Sequence, residues 1–297
     1  MSVANRAALI TKTHKVLKKH YKPVEPLSER TLLEHLLYAC CLENAMFDVA
    51  DEAFGKLQES YFDWNEVRVT TVAELSETMS CLPDPPDAAS RLKRTLQSVF
   101  EAHYTFDLEA MKKENLGSAT KKLEKNGVTS FCVSFITQAS LGGHSIPVDN
   151  STVETLYVLG IISENEAKSK RIPGMERAIP KTKGVEFGSL LHQLAVDFSL
   201  APFSPRVRSI ISEISPDAKE RFPKRGAKPA PARGEVKEKP KKKKAAAEKA
   251  KEPKKSAAKA VKKKSAKTKK SVIKAKQTKS ATKKKSTTKR LAKKKPR

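Results

Sequence analysis

Several residue patterns are scarce or missing in this chain of 297 residues, and each absence narrows the class of protein. No apolar run reaches the roughly 20 residues of a membrane-spanning helix, and the first residues hold no signal-peptide core, so we expect neither a membrane span nor secretion. The 4 cysteines lie mostly in apolar patterns, which favours reduced, buried thiols over a disulfide scaffold. Glycine-rich phosphate loops, the HExxH zinc motif and the serine nucleophile elbow are also missing, so we expect no cofactor and no metal.

Aromatic residues do not occur after Phe222, and from Lys224 onward the composition changes abruptly. The last 74 residues hold 33 Lys and Arg against 4 Glu, a net charge of +29. The first 223 residues hold 27 Lys and Arg against 29 Asp and Glu, a net charge of −2, so the excess of +27 in the whole chain belongs to this tail. Such a composition cannot bury enough apolar surface to offset the entropy of ordering, and we predict a disordered tail over 224–297.

The tail is typical of a segment that binds a polyanion. Its lysine clusters, separated by Ala and Ser, resemble the tails of linker histones and the lysine-rich extensions of some bacterial nucleoid proteins. Double-stranded DNA is the favoured partner because each neutralised phosphate releases a counterion whatever the base sequence. RNA, an anionic membrane surface and a merely solubilising role are the alternatives. The clusters expected to contact phosphates are Lys241, Lys242, Lys243, Lys244, Lys262, Lys263, Lys264, Lys283, Lys284 and Lys285.

Apolar periodicity predicts that the rest of the chain is helical. Residues 128–139 place apolar side chains at steps of three and four, and residues 187–198 repeat that spacing, so each segment predicts a helix with one face in a core. Residues 106–125 predict a further helix, and Thr71 with Glu74 predicts a capping box. Period-two alternation is nearly absent, so we predict an all-α body without a substantial sheet.

The order of these helices resembles that of the helix-hairpin-helix DNA glycosylases of the endonuclease III type, over roughly residues 28–215. The stretch "LEKNGVTSFCVSFITQASLGGHSIPVDNSTVETLYVLGII" occupies the place of the family's hairpin and of the Val-Asp turn that follows, and Ile-Pro-Val-Asp149 is the best single match. The resemblance implies a two-lobed helical glycosylase-like body at 28–223, after an N-terminal helix at 1–27 and before the basic tail. It also implies a monomer on double-stranded DNA, cytoplasmic and nucleoid-associated, or nuclear if the host is eukaryotic.

The resemblance also implies particular site residues. In some members a hairpin lysine forms a Schiff base, but that position falls at Thr129, which cannot do this chemistry, so we expect no lyase activity. Cys41 falls where the family places a residue that wedges into the duplex, although cysteine suits that role poorly. No cysteine follows Cys132, which excludes the family's four-thiolate iron–sulfur cluster. The hairpin residues expected to contact DNA are Lys125, Gly127, Val128, Thr129 and Ser130.

Asp149 is the residue on which the predicted function depends. An aspartate before a helix accepts backbone N–H bonds and stabilises by about 1 kcal/mol, and Asn150 or Ser151 could also cap this helix. The resemblance implies a second role for this aspartate, whose ionised form is favoured by the helix dipole. It would stabilise the cationic sugar formed as the glycosidic bond breaks and help to activate water. The resemblance therefore implies a monofunctional DNA N-glycosylase of base-excision repair, with Asp149 catalytic and the target base flipped into the cleft between two lobes. The alternatives are an inactive glycosylase fold associated with the nucleoid or chromatin, and a protein–protein adaptor tethered by its tail.

Histidines and large aromatic residues are weaker candidates for the site. His144 is interpreted as an exposed turn residue, and His35 and His192 as structural or surface residues on helices. Trp64 and Tyr38 could stack on a flipped base, but the apolar flanks of Trp64 favour a place in the core.

Overall fold

The computed structural model describes residues 3–170 and 172–223, and within these ranges all regular secondary structure is helical. The all-α class predicted from the sequence is therefore confirmed for this part of the chain. The predicted tail, with its lysine clusters, lies outside the described residues. The α-helices are α1 (Val3–His20), α2 (Leu32–Leu42), α3 (Phe47–Ser60), α4 (Trp64–Val69), α5 (Val72–Thr78), α6 (Pro85–His103), α7 (Leu116–Lys125), α8 (Ser130–Ala139), α9 (Asn150–Val158), α10 (Glu164–Ser169), α11 (Met175–Ala178), α12 (Gly184–Leu200) and α13 (Pro205–Ile214). Short 3-10 helices lie at Glu109–Lys113, Lys181–Lys183 and Pro216–Arg221.

Helices α2 to α8 form the first lobe around one apolar core. The predicted capping box is confirmed: the Thr71 side chain accepts the N–H of Glu74, whose carboxylate accepts the N–H of Thr71, and α5 begins there. The single helix predicted over 106–125 is wrong. A 3-10 helix ends at Lys113, and the Asn115 side chain accepts the N–H of Gly117, so a new helix, α7, begins at Leu116.

Helix α1 and helices α9 to α13 form the second lobe around a separate core. The apolar stripe predicted over 187–198 is buried in this core along α12. Ile10 and Leu17 of α1 are fully buried in the same core, so the N-terminal helix packs as part of this lobe.

The chain passes from one lobe to the other twice, through segments 21–31 and 140–149. The first crossing is fastened to α12, because the N–H of Val24 donates to Ser189 Oγ at 3.1 Å. The second crossing ends at Asp149, where α9 begins. The chain path alone thus places Asp149 at the boundary between the two cores.

Candidate active site

The predicted hairpin is present as the turn between α7 and α8. Gly127 has a φ of 72°, a left-handed conformation that glycine adopts without strain. The N–H of Gly127 donates to Glu124 O at 3.1 Å and that of Val128 to Leu123 O at 3.4 Å, so these two amides close the end of α7. Gly127 and Ser130 are both exposed, so the turn itself and the start of α8 face solvent.

Thr129, where the family's lysine would stand, is engaged within the protein. Its Oγ1 accepts the N–H of Cys132 at 3.2 Å and caps α8. The same hydroxyl donates to Oε2 of Glu43 at 2.8 Å, which ties the hairpin to the end of α2. Both contacts are structural, and the side chain carries no amine.

Asp149 is the N-cap of α9, as one interpretation of the sequence predicted. Its Oδ1 accepts both the N–H and the Oγ1–H of Thr152, each at 2.7 Å. Its Oδ2 accepts the N–H of Asn44 at 3.1 Å, from the loop that joins α2 to α3. The side chain is 0% exposed, so this carboxylate caps a helix and also joins the second crossing to the first lobe.

His192 of α12 reaches the same loop from the second lobe. Its Nε2 donates to Ala45 O at 2.7 Å, which fixes a proton on Nε2. Its Nδ1 lies 3.4 Å from Asp149 Oδ2 and makes no hydrogen bond with any described residue. We call the contacts of Asp149 and His192 with Asn44 and Ala45 the latch, because they hold the two lobes together at one loop.

Glu43 is a site residue that sequence reasoning missed. Besides the hydroxyl of Thr129, its Oε2 lies 3.4 Å from Nε of Arg91, which also pairs with Asp87. Burial raises the pKa of Glu43 above its ordinary value, although the nearby Arg91 guanidinium acts in the opposite direction. The only signal in the sequence was a charged residue placed directly after the apolar run of α2.

Two cavities lie on either side of the latch. The polar cavity, of about 200 Å³, is lined by Asp149, Glu43 and ten other residues that include Ser130, Asn150 and Lys170. The aromatic cavity, of about 360 Å³, is lined by His192 and by residues of both lobes that include Tyr38, Phe47, Phe54, Phe131 and Phe135. No described residue lines both, so the contact between Asp149 and His192 forms part of the wall between them.

Two sequence interpretations are wrong. Cys41 is 1% exposed and its Sγ lies 3.9 Å from Met79 Sδ, so it packs in the first core and cannot wedge into a duplex. His144 is half-buried rather than exposed, because its Nε2 donates to the carbonyls of Glu176 and Ile179, both at 2.9 Å.

The remaining candidates lie where burial was expected. Cys40, Cys41 and Cys132 are buried free thiols, whereas Cys81 is a half-buried free thiol. Trp64 packs against the first core, and Tyr38 lies in the wall of the aromatic cavity. Within the described ranges no cluster of three or more His, Cys, Asp or Glu could hold a metal ion, and no helix there is long and apolar enough to cross a membrane.

The described chain thus has two helical lobes that it crosses between twice, a hairpin between α7 and α8, and an aspartate that begins α9. Among solved structures the chain is similar to endonuclease III trapped as a covalent intermediate with DNA, with a TM-score of 0.50 and 12% identity over 74% of this chain and 99% of that one. This likeness shows the fold, and the resemblance stated from the sequence is confirmed at that level.

Two further solved structures match less closely in shape. A thermostable thymine-DNA glycosylase has a TM-score of 0.49 and 15% identity over 74% of this chain and 100% of that one. The 3-methyladenine DNA glycosylase of H. pylori, bound to 1,N6-ethenoadenine, has a TM-score of 0.41 and 15% identity over 67% and 99%. No protein-family model and no curated protein sequence matches the chain.

Proposed function

We propose that this protein binds double-stranded DNA and hydrolyses the N-glycosidic bond of a flipped nucleotide, as a monofunctional DNA N-glycosylase. The observation that carries the proposal is the place of Asp149, whose carboxylate lies at the N-terminus of α9, in the wall of the polar cavity that also includes Ser130 of the hairpin. A carboxylate in that position stabilises positive charge on a sugar whose backbone is held at the hairpin.

Two of the three carboxylates that line the polar cavity, Asp149 and Glu43, suit different steps of this reaction. Asp149 stabilises the cationic sugar as the C1′–N bond breaks and orients the water that adds to C1′. Glu43, whose pKa is raised by burial, gives a proton to the departing base and then recovers the proton that the adding water loses. Thr129 offers no amine, so water rather than a side chain forms the new bond to C1′, and no lyase step follows.

The burial of Asp149 supports a second candidate function. Both carboxylate oxygens accept hydrogen bonds and the side chain is 0% exposed, so a substrate reaches it only if the loop between α2 and α3 moves. In this alternative the latch is purely structural, and the protein is an inactive glycosylase fold that binds DNA in the nucleoid or in chromatin.

Base excision by matched aspartate variants separates the two candidates. End-labelled duplexes carrying uracil, oxidised guanine opposite adenine, an alkylated base or an abasic site are incubated with the full chain, then heated in alkali to reveal base loss. We compare Asp149→Asn with Asp63→Asn. Asp63 is also an N-cap aspartate, whose side chain accepts the N–H of Glu66 at 2.8 Å, but it does not line the polar cavity.

The proposal expects cleavage by the wild type and by Asp63→Asn but not by Asp149→Asn, with circular dichroism unchanged in all three. If no duplex is cut while all three proteins bind DNA equally, the second candidate is supported and the first is contradicted.

The basic tail is proposed to supply most of the DNA affinity, since the first 223 residues carry a net charge of −2. If ten of its cations engage B-DNA, the logarithm of the association constant falls with that of salt at a slope of about −9. We expect residues 1–223 alone to lose most of this slope and most non-specific binding. Equal binding by the truncated and full chains in a salt titration would contradict this.

A further inference from the structure

We propose that Cys40 and Cys132 form an oxidation site, at which the two thiols combine into a disulfide that links α2 to α8. Their Sγ atoms lie 3.8 Å apart, although the residues are 92 positions apart in the chain. Both thiols are free in the structure. This modification belongs to the first lobe, and its chemistry does not depend on base excision.

The two cysteines meet between packed helices. Cys40 lies on α2 and Cys132 on α8, and these helices are neighbours in the first core. A disulfide holds its sulfur atoms at roughly 2.0 Å, so side-chain rotation and a small approach of the helices would close the gap. The Sγ atoms of Cys41 and Cys81 contact a methionine sulfur and a backbone carbonyl instead, each at 3.9 Å. The geometry therefore favours this pair over the other two thiols.

Polar neighbours prepare Cys40 to react as a thiolate. Its Sγ lies 3.6 Å from the Thr95 hydroxyl, and the Arg91 guanidinium donates to Cys40 O at 3.1 Å. The hydrogen bond from the Cys132 thiol, followed by Thr95 and the Arg91 charge, lowers the pKa of Cys40, although burial acts in the opposite direction. Burial raises the pKa of Cys132. Cys40 is thus the nucleophile, and Cys132 keeps its proton until the second step.

The polar cavity gives a small oxidant a route towards the pair. Both thiols are buried, but Cys132 Sγ lies 3.9 Å from Oε2 of Glu43, and Glu43 lines that cavity. Hydrogen peroxide is only slightly larger than water, so a peroxide is the class of oxidant that suits this route. A bulky disulfide reagent does not.

The reaction with hydrogen peroxide balances in two steps. The Cys40 thiolate attacks one peroxide oxygen, the O–O bond breaks, and Cys40 becomes a sulfenic acid while hydroxide leaves with the proton that Cys40 had released, as water. The Cys132 sulfur then attacks the sulfenic sulfur. The S–S bond forms, the S–O bond breaks, and a second water leaves with the proton of Cys132. Two thiols are oxidised and one peroxide is reduced, so no other reactant is needed.

The new bond would change the surroundings of the hairpin. It joins the helix that ends beside Glu43 to the helix that begins at Ser130. Glu43 Oε2 would lose the Cys132 thiol at 3.9 Å and keep the Thr129 hydroxyl at 2.8 Å. The link would also stabilise the fold, because it closes a long loop and so restricts the unfolded chain.

Peptide mapping of the full chain identifies the bond. The protein is treated with hydrogen peroxide, its remaining thiols are alkylated in denaturant, and it is digested with trypsin without reductant. Cys40 and Cys41 share the tryptic peptide 31–56, whereas Cys132 lies in 126–168, so the disulfide should join these two peptides. The link should persist in Cys41→Ser, disappear in Cys40→Ser and open with dithiothreitol.

Thermal unfolding of the same samples tests the link in the folded protein. Peroxide should raise the Tm of the wild type by roughly 5 to 10 °C, and dithiothreitol should reverse the rise. Cys132→Ser keeps a donor beside Glu43 but cannot form the bond, so it should show no rise. Each protein is compared with itself before and after reduction, so a lower starting stability of a variant does not affect the result.

Three results would overturn the proposal. The first is the absence of any link between the two peptides after peroxide treatment. The second is a link that persists in Cys40→Ser but disappears in Cys41→Ser, or one that joins Cys132 to Cys81. The third is an equal, dithiothreitol-sensitive rise in Tm in Cys132→Ser and in the wild type. The proposed function is tested separately, by base excision.

Discussion

The two cavities beside the latch differ in what their walls can do. The polar cavity has three carboxylates, Glu43 at the end of α2, Asp149 at the start of α9 and Glu176 on α11, and it also includes Ser130 of the hairpin. The aromatic cavity has five large rings and acidic residues at its mouth. Asp149 belongs to the first and His192 to the second, and their atoms lie 3.4 Å apart. The carboxylates suited to bond cleavage therefore line one cavity and the aromatic rings suited to ring recognition line the other. The two cavities meet at the latch, through Asp149 and His192.

The largest loss of stability is expected from substituting Asp149, which forms part of the wall between the two cavities. Asp149→Ala leaves the N–H groups of Asn44 and Thr152 without their acceptor in a buried place, and should lower the free energy of unfolding by about 3 to 4 kcal/mol. Asp63→Ala removes an exposed cap and should cost about 1 kcal/mol. Urea unfolding measures both, and equal losses would show that the latch adds nothing to an ordinary N-cap.

His192→Leu removes the latch residue that lines the aromatic cavity. The change leaves Ala45 O unpaired in a buried place, and we expect a loss of about 2 kcal/mol in unfolding free energy. His103→Leu, at the half-buried end of α6, is the control and should change stability much less. A loss at position 192 no larger than at position 103 would mean that His192 merely fills space.

Glu43 and Glu74 give opposite pH dependences, which sharpens the contrast between a buried carboxyl and an exposed one. Burial raises the folded pKa of Glu43 above 4.5, so its contribution is fully present below pH 4.5 and is lost as the pH rises through the folded value. The hydrogen bond from Thr71 lowers the pKa of Glu74, so its contribution is present above pH 4.5 and is lost as the pH falls.

The measurement is urea unfolding from pH 4 to 8 of the wild type, Glu43→Gln and Glu74→Gln. With rising pH, the wild type should lose stability relative to Glu43→Gln and gain it relative to Glu74→Gln. If both stability differences changed with pH in the same direction, the raised pKa of Glu43 would be refuted.

The last prediction is a negative result: no Schiff base with DNA should form in the polar cavity. Because Thr129 has no amine, borohydride should trap no covalent adduct between the protein and abasic DNA. Lys170 lines the same cavity as Asp149, so it is the residue to test if a band forms. A trapped band that Lys170→Ala abolishes would assign an amine to this cavity and contradict monofunctional hydrolysis.

Local patterns predicted much of the fold because short-range physics determines them. The apolar stripe over 187–198 and the capping box at Thr71 depend on neighbours three or four residues away, and both are confirmed. The cap at Asp149 was one of two interpretations for the same reason, and the structure shows that the residue does cap α9.

The latch could not be predicted in this way. Asn44 lies 105 residues from Asp149, and Ala45 lies 147 residues from His192, so no periodicity links them. The Cys41 interpretation failed for a related reason: the resemblance gave its place along α2 but not the direction of its side chain, which packs on Met79. Functional geometry here depends on pairs that only the tertiary fold brings together.

Trp64 is the single tryptophan of the chain, and its place has a practical consequence. Its ring stacks on Phe54 with centroids 5.8 Å apart and planes 30° apart, and Phe54 in turn lines the aromatic cavity. A molecule that enters the cavity touches the ring next to the only indole. The protein therefore contains its own fluorophore at that cavity, and its emission can report occupancy without any label.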